Sequence, residues 1–186
     1  MTAAFKEWQA IVGALAAGEQ TLILRKGGIA EGRGGFAVKT SRFWLFPTQF
    51  HAQRENTKPA AAKWFSGPAP ETITLRCHAE LVQSAFLADW AEVARLDPFH
   101  LWTQATVRER FDWARPPGLH ALVVRVYRLD TPIVLTPTAE MAGCKSWIEL
   151  PFRFEDHPGK PVLDEAAFAA QLAAITAAAP SIARAG

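Results

Sequence analysis

The sequence predicts an α+β domain: a mostly antiparallel sheet or partly closed barrel, flanked by helices at its N- and C-terminal ends. Three observations predict it. Apolar residues recur at three- and four-residue spacing near both ends, at Phe5, Trp8, Val12 and Leu15 and again at Phe168, Leu172 and Ile175. In between the period is two, most cleanly where Ile73, Leu75, Cys77, Ala79 and Leu81 alternate with Thr72, Thr74, Arg76, His78 and Glu80. Proline and glycine punctuate the strand-like runs at the short intervals that hairpins and turns require.

Each element follows from local chemistry. Thr2 reads as the N-cap of the first helix and Gly18 as the glycine that ends it. Thr21–Arg25 reads as a short strand, and a glycine-rich basic loop follows it. Phe36–Lys39 and Phe43–Phe46 form a candidate hairpin turning near Ser41 and Arg42, with Pro47 as its stop. Gln49–Thr57 reads as a short helix that would hold His51 and Glu55 one turn apart. Lys58–Pro70, with Pro59, an alanine run and Gly67-Pro68-Ala69-Pro70, is the clearest loop.

Beyond it, Thr72–Leu81 is a half-buried strand, and Asp89–Arg95 is a short helix that stops before Pro98. Residues 99–113 are rich in aromatics and arginine and show no assignable period. His120–Leu129 is a strongly apolar strand, Ile133–Leu135 a second one, and Ile148, Leu150, Phe152 and Phe154 alternate along a last strand that Pro151 places at an edge. Asp164 caps the C-terminal helix, and the tail is expected to fray after Pro180. Residues 1–155 are therefore expected to form one domain, with 156–180 a helix packed on it and 181–186 a frayed tail.

A chain of 186 residues, 49% apolar, with seven Trp and twelve Phe, can build one substantial core. The N-terminus shows no basic start before an apolar run, and no stretch approaches the roughly 18 apolar residues of a membrane span. A cytoplasmic protein without a membrane partner is the expectation. Cys77 and Cys144 have no CxxC partners, which excludes a zinc ribbon or thioredoxin-type site and disfavours a disulfide framework. No cofactor is implied.

Net charge is +2, but its distribution is uneven. Residues 1–66 carry nine Lys and Arg against four acids, and the remainder is net acidic. An anionic partner would dock on the first third. There Arg25, Lys26 and Arg33 stand beside Gly27, Gly28, Gly32, Gly34 and Gly35, a composition that lets backbone N–H groups converge on an anion. The spacing fits neither a P-loop nor a Rossmann fingerprint. A solvated hairpin connection explains the same residues.

Three further groups carry candidate chemistry. His51 and Glu55 suit an oriented imidazole, or else an ordinary surface pair. Gly143-Cys144-Lys145-Ser146-Trp147 combines a thiol, an amine and a hydroxyl, where Lys145 would favour the Cys144 thiolate, or else it is a glycine turn packing Cys and Trp. Arg108, Arg110, Trp113 and Arg115 suit phosphate contact with base stacking, or else arginine stems lying over aromatic rings. No Glu-x-Lys occurs, which disfavours a nuclease of the restriction type.

Several blocks taken together resemble the bacterial domain-of-unknown-function family 1802. They are Lys6-Glu7-Trp8, Gly18-Glu19-Gln20 into Leu24-Arg25-Lys26-Gly27-Gly28-Ile29 with Glu31, Phe46-Pro47-Thr48 with His51 and Gln53, His100-Leu101-Trp102-Thr103, Arg125-Val126-Tyr127-Arg128-Leu129 and Gly143 to Trp147. The resemblance implies a nucleic-acid role through a restriction-modification context. Separately, Gly18 to Arg25 is similar to the entry motif of ASCH domains, small PUA-like barrels associated with RNA, although the usual Lys and Glu are here Gln20 and Ile23.

The expected function is a binding module for nucleic acid or another phosphate-bearing ligand, through Arg25, Lys26, Gly27, Gly28, Arg33, His51, Lys145 and Trp147. An enzyme acting on a small phosphorylated or nucleobase-like substrate through His51, Glu31 or Cys144 is the alternative. A protein-interaction module is the third reading.

Overall fold

Phe43, Trp44, Leu45 and Phe46 are successive residues, and all are buried, at no more than 2% exposure. In a strand, neighbours point to opposite faces, so this strand must be covered on both sides. A computed structural model of the chain, which describes residues 1–26, 37–49, 51–65, 71–113, 116–143 and 145–183, shows how. Phe43 and Leu45 enter a large core, while Trp44 and Phe46 enter a smaller one on the opposite face.

The sheet has seven strands: β1 (Thr2–Trp8), β2 (Leu22–Arg25), β3 (Arg42–Thr48), β4 (Ile73–Leu87), β5 (Leu119–Leu135), β6 (Trp147–Leu150) and β7 (Gly159–Pro161). The order is β2-β5-β4-β3-β1-β6, with β7 also on β5. Every pairing is antiparallel except that of β1 with β3. Among the described residues the outer strands β2 and β6 do not pair, so the sheet is not closed. The α+β expectation holds in its open-sheet form.

The N-terminal helix is shorter than its spacing predicts. Thr2–Trp8 is strand, and α1 runs only over Gln9–Ala16. Phe5 is captured by the large core from β1, and pairing with both β3 and β6 outweighs the helical period. The C-terminus of α1 matches expectation. Gly18 has φ +73°, its N–H donates to the Leu15 carbonyl, and the Glu19 N–H donates to the Ala14 carbonyl, a Schellman ending.

The expected hairpin from Phe36 to Phe46 is not formed by its described part. Residues 37–40 are not strand, and β3 pairs with β1 and β4 instead. Pro47 does not stop β3, which continues to Thr48. Pro47 pairs with Glu7 of β1, beyond the stretch that β4 occupies, so only one side of the strand there has a ladder to serve. The helix expected at Gln49–Thr57 is a single 3-10 turn, His51–Gln53. The Lys58–Pro70 loop begins with a 3-10 helix, Pro59–Trp64.

β4 keeps its alternation but changes face. Leu75 lies in the smaller core and Cys77 in the larger, across a break in register where Arg76 stands opposite the extra residues 129–132 of β5. β5 absorbs both expected strands as one, with Pro132 inside that break. The helices are α2 (Trp90–Arg95), α3 (Gln104–Asp112), α4 (Glu165–Ala178) and α5 (Pro180–Ala183). Asp89, Thr103 and Asp164 cap α2, α3 and α4 through side-chain oxygens. α4 buries Phe168 and Ile175 as its stripe requires. Of the segment after Pro180, expected to fray, the described residues 181–183 belong to α5 and bury Ile182 completely.

Candidate functional site

Among the described residues, five cations and one carboxylate line a cleft of about 1230 Å³ between α1, the C-terminal end of β3, the register break of β4 and β5, and the segment leading into β6. The cations are Lys6, Arg25, Arg76, Arg128 and Lys145, and the acid is Asp130. Trp8 and Trp64 also line it, with Thr48, Gln49 and Thr74 as polar neighbours. The excess of positive charge favours an anion.

The five cations are not equally available. Lys6 Nζ donates to the carbonyls of Met141 and Gly143, each at 2.7 Å, which pins the 141–143 segment over β1. Arg25 Nε and Nη2 donate to Ser146 Oγ at 3.0 and 2.7 Å, and Nη1 lies 3.9 Å from Glu7 Oε2. Arg128 donates to the Ala16 carbonyl at the C-terminus of α1, where a cation also meets the helix dipole. Asp130 pairs with Lys160 at 3.7 Å. By contrast Arg76 and Lys145 are exposed, and neither makes a hydrogen bond or ion pair with a described residue.

Behind the cleft lies a buried electrostatic knot. Glu7 is 1% exposed, and its Oε1 accepts from the Trp8 N–H at 2.7 Å. Arg110 lies over the rings of Trp8 and Trp102, at 4.5 and 5.3 Å. Burial pulls its guanidinium down to about 10, while the Glu7 carboxylate works to raise it and Arg25 to lower it further. One carboxylate thus serves two guanidiniums.

The expected site residues separate. Arg25 and Lys145 line the same cleft although they are far apart in sequence. Lys26 turns elsewhere: its Nζ donates to the carbonyls of Phe111, Pro116 and Gly118, at 3.4, 3.1 and 2.9 Å, and burial lowers its pKa against the opposing pull of Asp112. Trp147 is in the large core, edge-on to Phe5 and Phe43, with Nε1 donating to the Ala37 carbonyl. Gly27, Gly28, Arg33 and Glu31, Cys144 and Arg115, and the side chain of His51 lie outside the described residues. Glu55 is exposed beyond the 3-10 turn.

Residues 4–174 match the family described as Domain of unknown function (DUF1802). The chain belongs to this family. It matches no curated protein. Two solved structures, both of an ASCH protein from Zymomonas mobilis, are similar to this DUF1802 chain at 15% identity. One, a serine-to-alanine mutant, covers 70% of this chain and 72% of its own with a TM-score of 0.46, and the other covers 66% of each with a TM-score of 0.43. Both carry the name of the group that the Gly18–Arg25 segment resembles. Nothing about chemistry follows from likeness at that level.

In this DUF1802 chain Gln20, which stands where ASCH motifs usually carry Lys, is 1% exposed. Its Nε2 donates to the Leu22 carbonyl and its Oε1 accepts from the Leu101 N–H, so it acts as an internal clamp. Of the arginine-aromatic segment, Arg108 pairs with Asp112 at 2.6 Å and lies over Trp90, while Arg110 lies over Trp8 and Trp102. Stems over rings is the reading that these two realise.

Arg128 and Trp64 are not among the expected site residues, and Arg76 reads from the sequence, with His78 and Glu80, as a row suited to either a binding surface or a solvated sheet face. Pro59 followed by three alanines, Lys63 and Trp64 is a helix-start signal that would have lifted Trp64 out of the loop.

Proposed function

We propose that the cleft binds a phosphate-bearing ligand, with nucleic acid as the abundant polyanion that a cytoplasmic protein would meet. The observation that carries this reading is the contrast within the lining. Lys6, Arg25 and Arg128 are answered by the protein's own oxygens, whereas Arg76 and Lys145 line the cleft without a hydrogen bond or ion pair to any described residue. An exposed guanidinium and an ammonium facing one concave surface are suited to phosphate oxygens. Arg25 would add charge from the wall. Gly27, Gly28 and Arg33, which follow it in the chain, and His51 complete the proposed contact set, with backbone N–H groups as the added donors.

No metal-binding group of three or more His, Cys, Asp or Glu side chains is present among the described residues. The proposed role is binding and needs none. The test is equilibrium binding of a labelled oligonucleotide to the wild type and to an Arg76→Ala, Lys145→Ala double variant. Each lost charge-assisted contact should weaken binding about tenfold. Wild-type affinity in the double variant would contradict the reading.

A further inference from the structure

Trp64 ends the 3-10 helix that packs beside α1, and its mostly buried indole, with Nε1 turned inward, lines the cleft. Its position depends on one glycine. A Cβ at Gly13 would lie 2.7 Å from Cδ2 and Cε3 of the indole, closer than side-chain contacts allow, so the ring rests on the bare backbone of α1. Gln9 Nε2 donates to the Trp64 carbonyl at 3.2 Å and fixes the residue from below. The Lys63 ammonium stands 5.2 Å from the ring centroid.

Trp44 and Trp102 are closed off in the interior at 0% exposure, whereas Trp64 keeps part of its surface in the cleft wall. Trp64 is a flat ring held against a helix at the wall of a cationic cleft. Cations recognise phosphate in any polyanion, but a fixed aromatic wall adds recognition only for a ligand that offers flat rings. In a duplex the base faces are occupied by their stacked neighbours; in a single strand they are accessible.

We infer that the cleft takes single-stranded nucleic acid, with a base stacked on Trp64 and phosphates at Arg76 and Lys145. This rests on the phosphate-binding reading above and narrows it. Stacking on a π-face is tolerant of base identity, so little sequence preference accompanies it.

The test measures affinity at fixed salt for a single-stranded oligonucleotide, the matching duplex and inorganic polyphosphate. Wild type should prefer the single strand to both. Trp64→Ala should weaken single-strand binding by about 5- to 150-fold and leave polyphosphate binding unchanged. Gly13→Ala is the second variant, because alanine favours the helix while its Cβ displaces the indole. It should shift single-strand affinity in the same direction, with circular dichroism unchanged. Wild-type single-strand affinity in both variants, or equal affinity for duplex, would overturn the inference. If the Arg76→Ala, Lys145→Ala variant still binds weakly in that case, the phosphate reading stands without it; if that variant also binds like wild type, both readings fall.

Discussion

Two polar regions of this molecule use the same residue types to opposite ends. Around His78, on the smaller-core side of the sheet, the ring is 1% exposed, stacked on Tyr127 at 4.9 Å and edge-on to Trp44 and Phe154. Arg42 approaches His78 Nε2 at 3.3 Å and lies over Phe154, Glu80 faces Arg42 at 3.6 Å, and Tyr127 Oη donates to Glu80 at 3.0 Å. Each charge there has an opposite charge, a ring or a hydroxyl beside it. In the cleft, Arg76 and Lys145 make no hydrogen bond or ion pair with a described residue. The difference teaches that a row of Arg, His and Glu on a strand says little until each group's partner is known: His78 and Glu80 are answered within the fold, whereas Arg76 on the same strand is exposed at the cleft.

The comparison can be broken from the structural side first. Trp44 is fully buried, with Nε1 donating to Thr2 Oγ1 at 2.7 Å and its ring against Phe154. Trp44→Ala should cost about 3–5 kcal/mol in chemical denaturation, while the folded fraction keeps its oligonucleotide affinity. Arg25→Ala should cost about 1–3 kcal/mol, because it leaves the Ser146 hydroxyl without its donor and takes one of two guanidiniums from the buried Glu7 carboxylate. Arg25 belongs to both regions of behaviour, so this variant should also weaken binding.

A pH series sharpens the contrast. Burial, helped by the nearby Arg42, pulls His78 down to about 4 against the pull of Glu80, and burial with Lys58 does the same to His100. Both rings are neutral in the fold, whereas in the unfolded chain they protonate near the ordinary 6.5. Between those values the unfolded state binds protons that the folded state refuses, so stability is complete above pH 6.5 and falls as pH drops through the window toward 4. The loss should reach about 3 kcal/mol per ring at most, and His78→Phe should flatten the acid limb of a stability–pH curve. At the small end, Arg76→Ala should change stability by no more than about 0.5 kcal/mol, since nothing described in the protein answers that guanidinium.

Features set by nearest neighbours were legible in the sequence. Asp164 caps its helix, Gly18 ends α1, and Phe168 with Ile175 faces inward, because capping and amphipathic spacing act within a turn or two. Features set by distant partners were not. Phe5 and Trp8 have helical spacing, yet β1 is a strand because β3 and β6 hold it. The alternation of β4 implied one buried face, but the register break at Arg76 moves Leu75 and Cys77 into different cores, and His78 is covered by Trp44 and Phe154 from outside its strand. At the site, Arg25 and Lys145 were visible as charges in suggestive settings. That Lys26 is occupied by three carbonyls, and Arg76 by none among the described residues, depends on contacts that linear spacing does not encode.

The central claim is that Arg76 and Lys145 are held for ligand phosphates. Its most direct test is the slope of log affinity against log salt for a single-stranded oligonucleotide. Removing both cations should flatten that slope by about 1.4, at roughly 0.7 per phosphate contact, whereas Arg108→Ala, an exposed arginine already paired with Asp112, should leave it unchanged. Equal slopes in the wild type and the double variant would contradict the claim.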